Sequence, residues 1–165
     1  MSTTSCVRSR EAGVPFDWGR SAGDGGPGST RSVALFTVAC VDYAIDAARV
    51  RHLFPAGREA GRSIAFDGAT FPVIDLRSIF RLPAGPRTGR VLLMDDGAGR
   101  TAALVVDAVG TPARLDQRAL TALPPVFRGQ ERVHFEGLAL LDDRVVVVIA
   151  PRGLLARAWP RQVAV

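Results

Sequence analysis

Between Val33 and Ile149 the chain keeps returning to short β-branched or aromatic runs, each closed by a Gly-, Pro- or Asp-rich break. That rhythm constrains the fold more than any other feature. Val33-Ala34-Leu35-Phe36-Thr37-Val38-Ala39 has too few polar positions for a helical face and predicts a strand. A break at Val41-Asp42 leads into a second short strand, Tyr43 to Asp46. Ala47, Val50, Leu53 and Phe54 then fall at a spacing that predicts one or two helical turns, stopped by Pro55 and Gly57. Ser63–Phe66 and Ala69–Ile74 flank Asp67-Gly68, a pair suited to a two-residue hairpin turn in which both residues take positive φ.

The second half repeats the pattern. Asp75 is placed to cap a short helix through Phe80, with Leu76, Ile79 and Phe80 on one side. Val91–Met94 and Thr101–Asp107 predict a hairpin around Asp95-Asp96-Gly97-Ala98-Gly99, and Ala108–Leu115 a strand kinked near Gly110 and Pro112. Arg132–Leu141 and Arg144–Ile149 predict a hairpin turning at Asp142-Asp143. The run Val145-Val146-Val147-Val148-Ile149 lacks alternation, as expected of a strand buried on both faces. Pro151 opens a last helix, Arg152 to Trp159. Many short strands with brief helices make an all-β fold, and closed barrels are the natural way to hide the strand edges.

Residues 1–31 differ. They are rich in Ser, Thr and Gly, and their apolar surface is too small to offset the entropy of ordering, so a flexible tail is expected. Phe16 and Trp18 stand inside it as two isolated aromatics. The domain is expected over 32–159, with 160–165 as a C-terminal end. No apolar run reaches the ~18 residues of a membrane helix. No apolar core follows a short basic start as in a signal peptide, so a cytosolic protein is expected. Cys6 and Cys40 are far apart, with no metal-ligand spacing around either. Cys40, at the end of a strand, is expected to be a small buried hydrophobe.

The net charge of +5 rests entirely on arginine, since all 21 basic residues are Arg. Without lysine, a P-loop, a kinase ATP site, a Schiff-base enzyme or a phospho-receiver site cannot be assembled in its usual form. Val91-Leu92-Leu93-Met94-Asp95-Asp96 opens like a receiver strand, but Gly97-Ala98-Gly99 turns it back into another strand. His134, read as a strand residue, shares a face with Glu136, yet no nucleophile or metal-ligand spacing accompanies the pair. No enzyme, metal or cofactor is expected. A chain this basic admits one alternative, a small barrel binding nucleic acid through an arginine-lined face. Against it, the arginines are interleaved with Asp and Glu, aromatics are 7% of the chain, and most Phe residues fall at core-like positions.

Four motifs in order resemble the CheW-like domain family. They are Val33-Ala34-Leu35-Phe36-Thr37-Val38 with Tyr43-Ala44-Ile45-Asp46; Phe71-Pro72-Val73-Ile74-Asp75-Leu76-Arg77; Leu104-Val105-Val106-Asp107-Ala108-Val109; and Phe135-Glu136-Gly137-Leu138 with Leu141-Asp142-Asp143-Arg144. The resemblance implies two intertwined five-stranded SH3-like barrels with a groove between them. It also implies a non-enzymatic chemosensory adaptor in the cytoplasm, at receptor arrays, without direct membrane insertion. The partners it implies are the cytoplasmic tip of a methyl-accepting chemoreceptor and a CheA-type histidine kinase or another CheW-like protein, not nucleic acid. Carried over by position, Val50, Leu53, Val105, Val106 and Val109 are the expected receptor-binding groove. Family members place a longer Pro-containing segment and a Val-x-Asn-x-Arg-Gly turn before the second motif. Here only Pro55 to Ser63 intervenes and the turn reads Ile64-Ala65-Phe66-Asp67-Gly68. The altered region, with Pro55, Gly57, Asp67 and Gly68, implies weakened or lost kinase coupling, as in the accessory CheW-like partner of a Frz-type system.

Overall fold

The structure is a computed structural model that describes residues 29–56, 61–85, 89–125 and 129–159. Residues 1–28 of the expected tail, with Cys6, Phe16 and Trp18, the C-terminal end 160–165, and Gly57 lie outside the described residues, while Thr30 and Arg31, expected in the tail, already belong to the first strand.

β1 (Thr30–Val38) and β2 (Val41–Asp46) form an antiparallel hairpin. Its turn is Ala39-Cys40, not Val41-Asp42. Both turn residues hold positive φ, 50° and 64°, a backbone state that costs a non-glycine residue energy and therefore needs an anchor. Asp107 supplies one, its Oδ2 accepting the Ala39 N–H at 2.8 Å. The turn also carries Cys40 to the surface, so the expected buried cysteine is an exposed one.

Asp46 caps a single 3-10 turn, Ala47–Arg49, by accepting the Ala48 N–H. The expected helix stops there. From Val50 the chain is extended as β3 (Val50–Pro55), because the β-branched and aromatic side chains of this stretch gain more by pairing with a neighbouring strand than by one more helical turn. β4 (Ser63–Phe66) and β5 (Ala69–Ile74) form the expected hairpin, with φ of 49° at Asp67 and 76° at Gly68. α1 (Leu76–Ile79) follows, capped by Asp75 through the Arg77 N–H. β6 (Arg90–Asp95) and β7 (Thr101–Val106) pair antiparallel.

The predicted strand 108–115 is broken into β8 (Ala108–Val109) and β9 (Ala113–Asp116), since the Gly110-Thr111-Pro112 link interrupts the ladder. β10 (Leu120–Thr121) is a short edge strand. Arg132 to His134 are not strand but the end of a 3-10 turn, Gln130–His134, and β11 (Phe135–Leu141) begins after it. His134 and Glu136 therefore do not share a strand face. His134 is buried, and Glu136 pairs with Arg31. β12 (Arg144–Ile149) and α2 (Pro151–Ala158) complete the chain.

Strands β3-β6-β7-β5-β4 form one sheet; β10-β11-β12-β2-β1-β8, with β9 also on β1, form the other. The five-stranded unit is thus inserted between β2 and β8 of a seven-stranded unit, giving two interwoven SH3-like barrel halves. The seven arise where the broken strand contributes two pieces and β10 adds an edge.

Strand alternation divides the side chains among three cores. Val33, Ala44, Leu115, Ala139, Val146 and Val148 fill the seven-stranded half. Val91, Leu93 and Ala103 fill the five-stranded half. The opposite faces of the same strands, with Phe36, Tyr43, Ile45, Leu92, Met94, Leu104, Ile149, Leu154 and Leu155, meet in a larger core between the halves. Strands clothed on both faces read as continuous apolar runs, which explains Val146 to Ile149. Val145 departs from that expectation: at the start of β12 it is 64% exposed.

Tyr43 is stacked between Phe36 and Phe80 in the shared core, with centroids 5.6 and 5.7 Å apart. Burial penalises the phenolate and pushes its pKa up to about 12. The protonated phenol is the form the fold accepts, so this contribution to stability is complete below pH ~10 and is lost as pH rises through about 12. Tyr43 is the only tyrosine, and near-ultraviolet phenolate absorbance therefore reads it alone. The expected midpoint is near 12 in the folded protein, falling to about 10 in denaturant.

A candidate docking surface at the seam

The sheet registers align an apolar row across the seven-stranded half. Leu138 faces Val147, Val147 faces Tyr43, Tyr43 faces Phe36, and Phe36 faces Val109. One step along, Leu140 faces Val145 and Val38 faces Val41. Carrying the parallel β12–β2 register back two residues sets Val145 beside Val41. The middle of this face is sealed by the shared core, while its β11–β12 end stays open, with Leu140 61% and Val145 64% exposed. An open apolar strip continuous with a core is a surface whose burial still offers free energy. The pairs Arg144–Asp42 and Arg77–Asp107 are charged features of the same half and of the seam.

The expected groove residues divide between two faces. Val50 and Val106 lie inside the shared core, 6% and 1% exposed, with Leu53 and Val109 half-buried against it. Val105 points the other way, into the five-stranded half. The structure thus brings four of the five together at the seam and separates Val105. Position in the sequence did not single out Leu140 and Val145. The available signal was that Leu140-Leu141 and Val145 bracket the polar Asp142-Asp143-Arg144 turn, where a hairpin tip should lose its cover.

The seam is fastened at one corner. Arg77 Nη2 contacts both Asp107 carboxylate oxygens at 2.7 and 2.6 Å, Asp107 accepts from Ala39, and its own N–H donates to the Thr37 carbonyl at 2.9 Å. One carboxylate therefore joins α1, the β1–β2 turn and the β7–β8 junction, just beside Val109. Of the altered region, Pro55, Asp67 and Gly68 are exposed in the five-stranded half.

The β6–β7 turn shows why Asp95 and Asp96 are structural. Asp95 accepts from Gly97 and pairs with Arg49 and Arg51. Asp96 accepts the Ala98 and Arg100 N–H groups and the Arg100 guanidinium. Burial raises the Asp96 pKa, but these donors outweigh it and hold the carboxyl below the usual carboxylate range. A depressed folded pKa contributes stability above the ordinary value near 4 and loses it as pH falls below that value. Asp96→Asn should therefore lower stability at pH 7 and flatten the loss of stability below pH ~4, as read by urea unfolding across pH.

A separate opening of about 320 Å³ is lined by Arg31, Arg49 and Arg152 and by Asp46, Asp96 and Glu136. Its formal charges balance three against three. Among the described residues, no group of three or more His, Cys, Asp or Glu is placed to hold a metal, and no helix is long and apolar enough to cross a membrane.

The model of the CheW-like domain matches residues 32–158. The chain belongs to the CheW-like domain family. Among solved structures it is similar to the scaffolding protein TtCheW from Thermoanaerobacter tengcongensis, with a TM-score of 0.62 and 24% identity over 73% of this chain and 89% of that one. At that identity the likeness supports the fold alone, and it agrees with the two interwoven barrel halves. No curated protein matches the chain. The CheW-like family is one of scaffolds and adaptors.

Proposed function

We propose that this CheW-like protein is a non-enzymatic chemosensory adaptor that binds the cytoplasmic tip of a methyl-accepting receptor, in the cytoplasm at receptor arrays. The observation that supports the reading is the apolar strip leaving the shared core at Leu140 and Val145. It suits the apolar face of an amphipathic helix, with anchors at i, i+3 or i+4 and i+7. Leu53 and Val109 line the seam behind it; Val50 and Val106 support it from inside.

Coupling to a CheA-type kinase, or to another CheW-like protein, is weakened in this reading. The segment from Pro55 is short, and an exposed anion, Asp67, stands where the family has a cation. Reversing a charge at an interface costs several kcal/mol when it meets a like charge. The nucleic-acid alternative gains no support, since Arg31, Arg49, Arg51, Arg77, Arg100 and Arg144 each pair with a carboxylate.

The test is binding of the full chain, side by side, to a receptor cytoplasmic tip and to the kinase's CheW-like domain. Receptor binding with kinase binding at least tenfold weaker is expected, a difference of about 1.4 kcal/mol. Ordinary kinase affinity overturns the weakened coupling, and binding to neither overturns the adaptor reading.

A further inference from the structure

The five-stranded half ends on two edge strands. Its edge strands, β3 and β4, pair among the described residues only with β6 and β5. They are joined to each other by side chains: Phe66 stacks on Phe54 with centroids 4.9 Å apart and lies 4.6 Å from the His52 ring. The interior of this half has three fully buried residues, and Phe54, Ile64, Phe66, Phe71 and Val73 remain only half-covered around them. Three phenylalanines beside a strand edge that has no partner among the described residues make an incomplete core, with backbone donors and acceptors there that a further strand would meet.

We infer that the chain's own Val14-Pro15-Phe16-Asp17-Trp18 completes this half, pairing with the free edge of β4 and laying Val14, Phe16 and Trp18 over Phe54, Phe66 and Phe71. Alternation sends those three apolar side chains to one face and Pro15 and Asp17 to the other. Pro15 is tolerable because an added outer strand needs backbone bonds on one side only. The exposed Arg62 and Arg90 at the rim of this half offer Asp17 a cation. The reach is sufficient. Thr30 starts β1 next to Arg31, whose guanidinium lies 3.9 Å from the Asp46 carboxylate, and Asp46 leads through one turn into β3. The twelve residues from Trp18 to Thr30 span up to about 40 Å, whereas Val50 to Phe54 along β3 is roughly 13 Å. Added strands of this kind gain affinity from the backbone and specificity from alternate side chains. The surface is distinct from the Leu140–Val145 strip, so this inference stands apart from the receptor reading.

Fluorescence of the full chain carrying Trp159→Phe isolates Trp18. Should that variant not fold, fluorotryptophan labelling of the native chain, read by ¹⁹F NMR, takes its place. Expected are a blue-shifted emission and acrylamide quenching several-fold weaker than in a free peptide of residues 10–22. Both should revert in Phe16→Ser and in Phe66→Ser with far-ultraviolet circular dichroism unchanged. Quenching equal to the free peptide overturns the inference. So does protection that survives both serine variants, which places Trp18 elsewhere. Protection that disappears on dilution also overturns it, by assigning the segment to a second copy.

Discussion

Gly153→Ala should lower the unfolding free energy by about 3 kcal/mol, roughly 10 °C in Tm for a domain of this size. The expectation runs against helix propensity. In the first turn of α2, replacing Gly with Ala would ordinarily stabilise by up to about 1 kcal/mol. Here a Cβ on Gly153 would stand 1.6 Å from the Val133 carbonyl oxygen and 2.5 Å from its carbon. Those are backbone atoms of the 3-10 turn Gln130–His134, and they cannot rotate aside. The Ala150 N–H donates to the His134 carbonyl at 2.8 Å, so the turn and α2 are tied where the methyl would intrude. Either the turn lifts away, exposing His134, or α2 withdraws Leu154 and Leu155 from the shared core. Gly61→Ala, with open space at its Cβ position, is the control and should change stability by less than about 0.5 kcal/mol. Urea unfolding of the two variants decides it. Equal stabilities would mean that the close approach of the turn to α2 is not fixed.

The same contact shows where the sequence was legible. Gly153 sits in an otherwise ordinary helix start, and nothing local announces that a backbone 20 residues upstream passes over it. Features written in local chemistry were readable: Asp67-Gly68 at positive φ, Asp75 as a cap, Asp142-Asp143 as a turn. Features supported from far away were not. Ala39-Cys40 has no turn signature and holds positive φ because Asp107, 68 residues on, accepts its N–H. The stretch after Arg49 has helical spacing, yet β6 draws it into a ladder. The apolar run of β12 signalled burial on two faces, which holds from Val146 on, and the similarly apolar β1, β6 and β7 are also clothed on both. Which face meets which core depends on register and on the insertion of one half into the other. For that reason positional carry-over grouped Val105 with Val106, although adjacent strand residues must point to opposite sides. Leu140 and Val145 escaped notice for the converse reason: apolar residues in a predicted strand are assumed to be covered, and only the sheet shows where the cover ends.

That uncovered end gives the sharpest test of the proposed adaptor role. Leu140→Asp and Val145→Asp should each weaken receptor binding on the order of tenfold to a hundredfold, the equivalent of burying one Leu or Val side chain and of desolvating a new charge. Together they should abolish measurable binding. Their cost to folding is small by comparison. Both side chains are already more than half exposed, and the cross-strand contact they share is worth about 0.2–1 kcal/mol. Val106→Ala provides the opposite case. Fully buried in the shared core, it should cost folding roughly 1–3 kcal/mol and affect binding only through the fraction unfolded. Kinase-domain binding is the discriminating readout, because Asp67 and Pro55 belong to the other barrel half. An aspartate at Leu140 or Val145 should leave that weaker interaction unchanged, whereas Asp67→Arg should strengthen it and leave receptor affinity alone. Receptor affinity that survives both aspartates would remove the strip as the docking surface and move the search back to Leu53 and Val109. There the side chains are half-buried against the shared core, and the Arg77–Asp107 pair stands at the β7–β8 junction beside Val109.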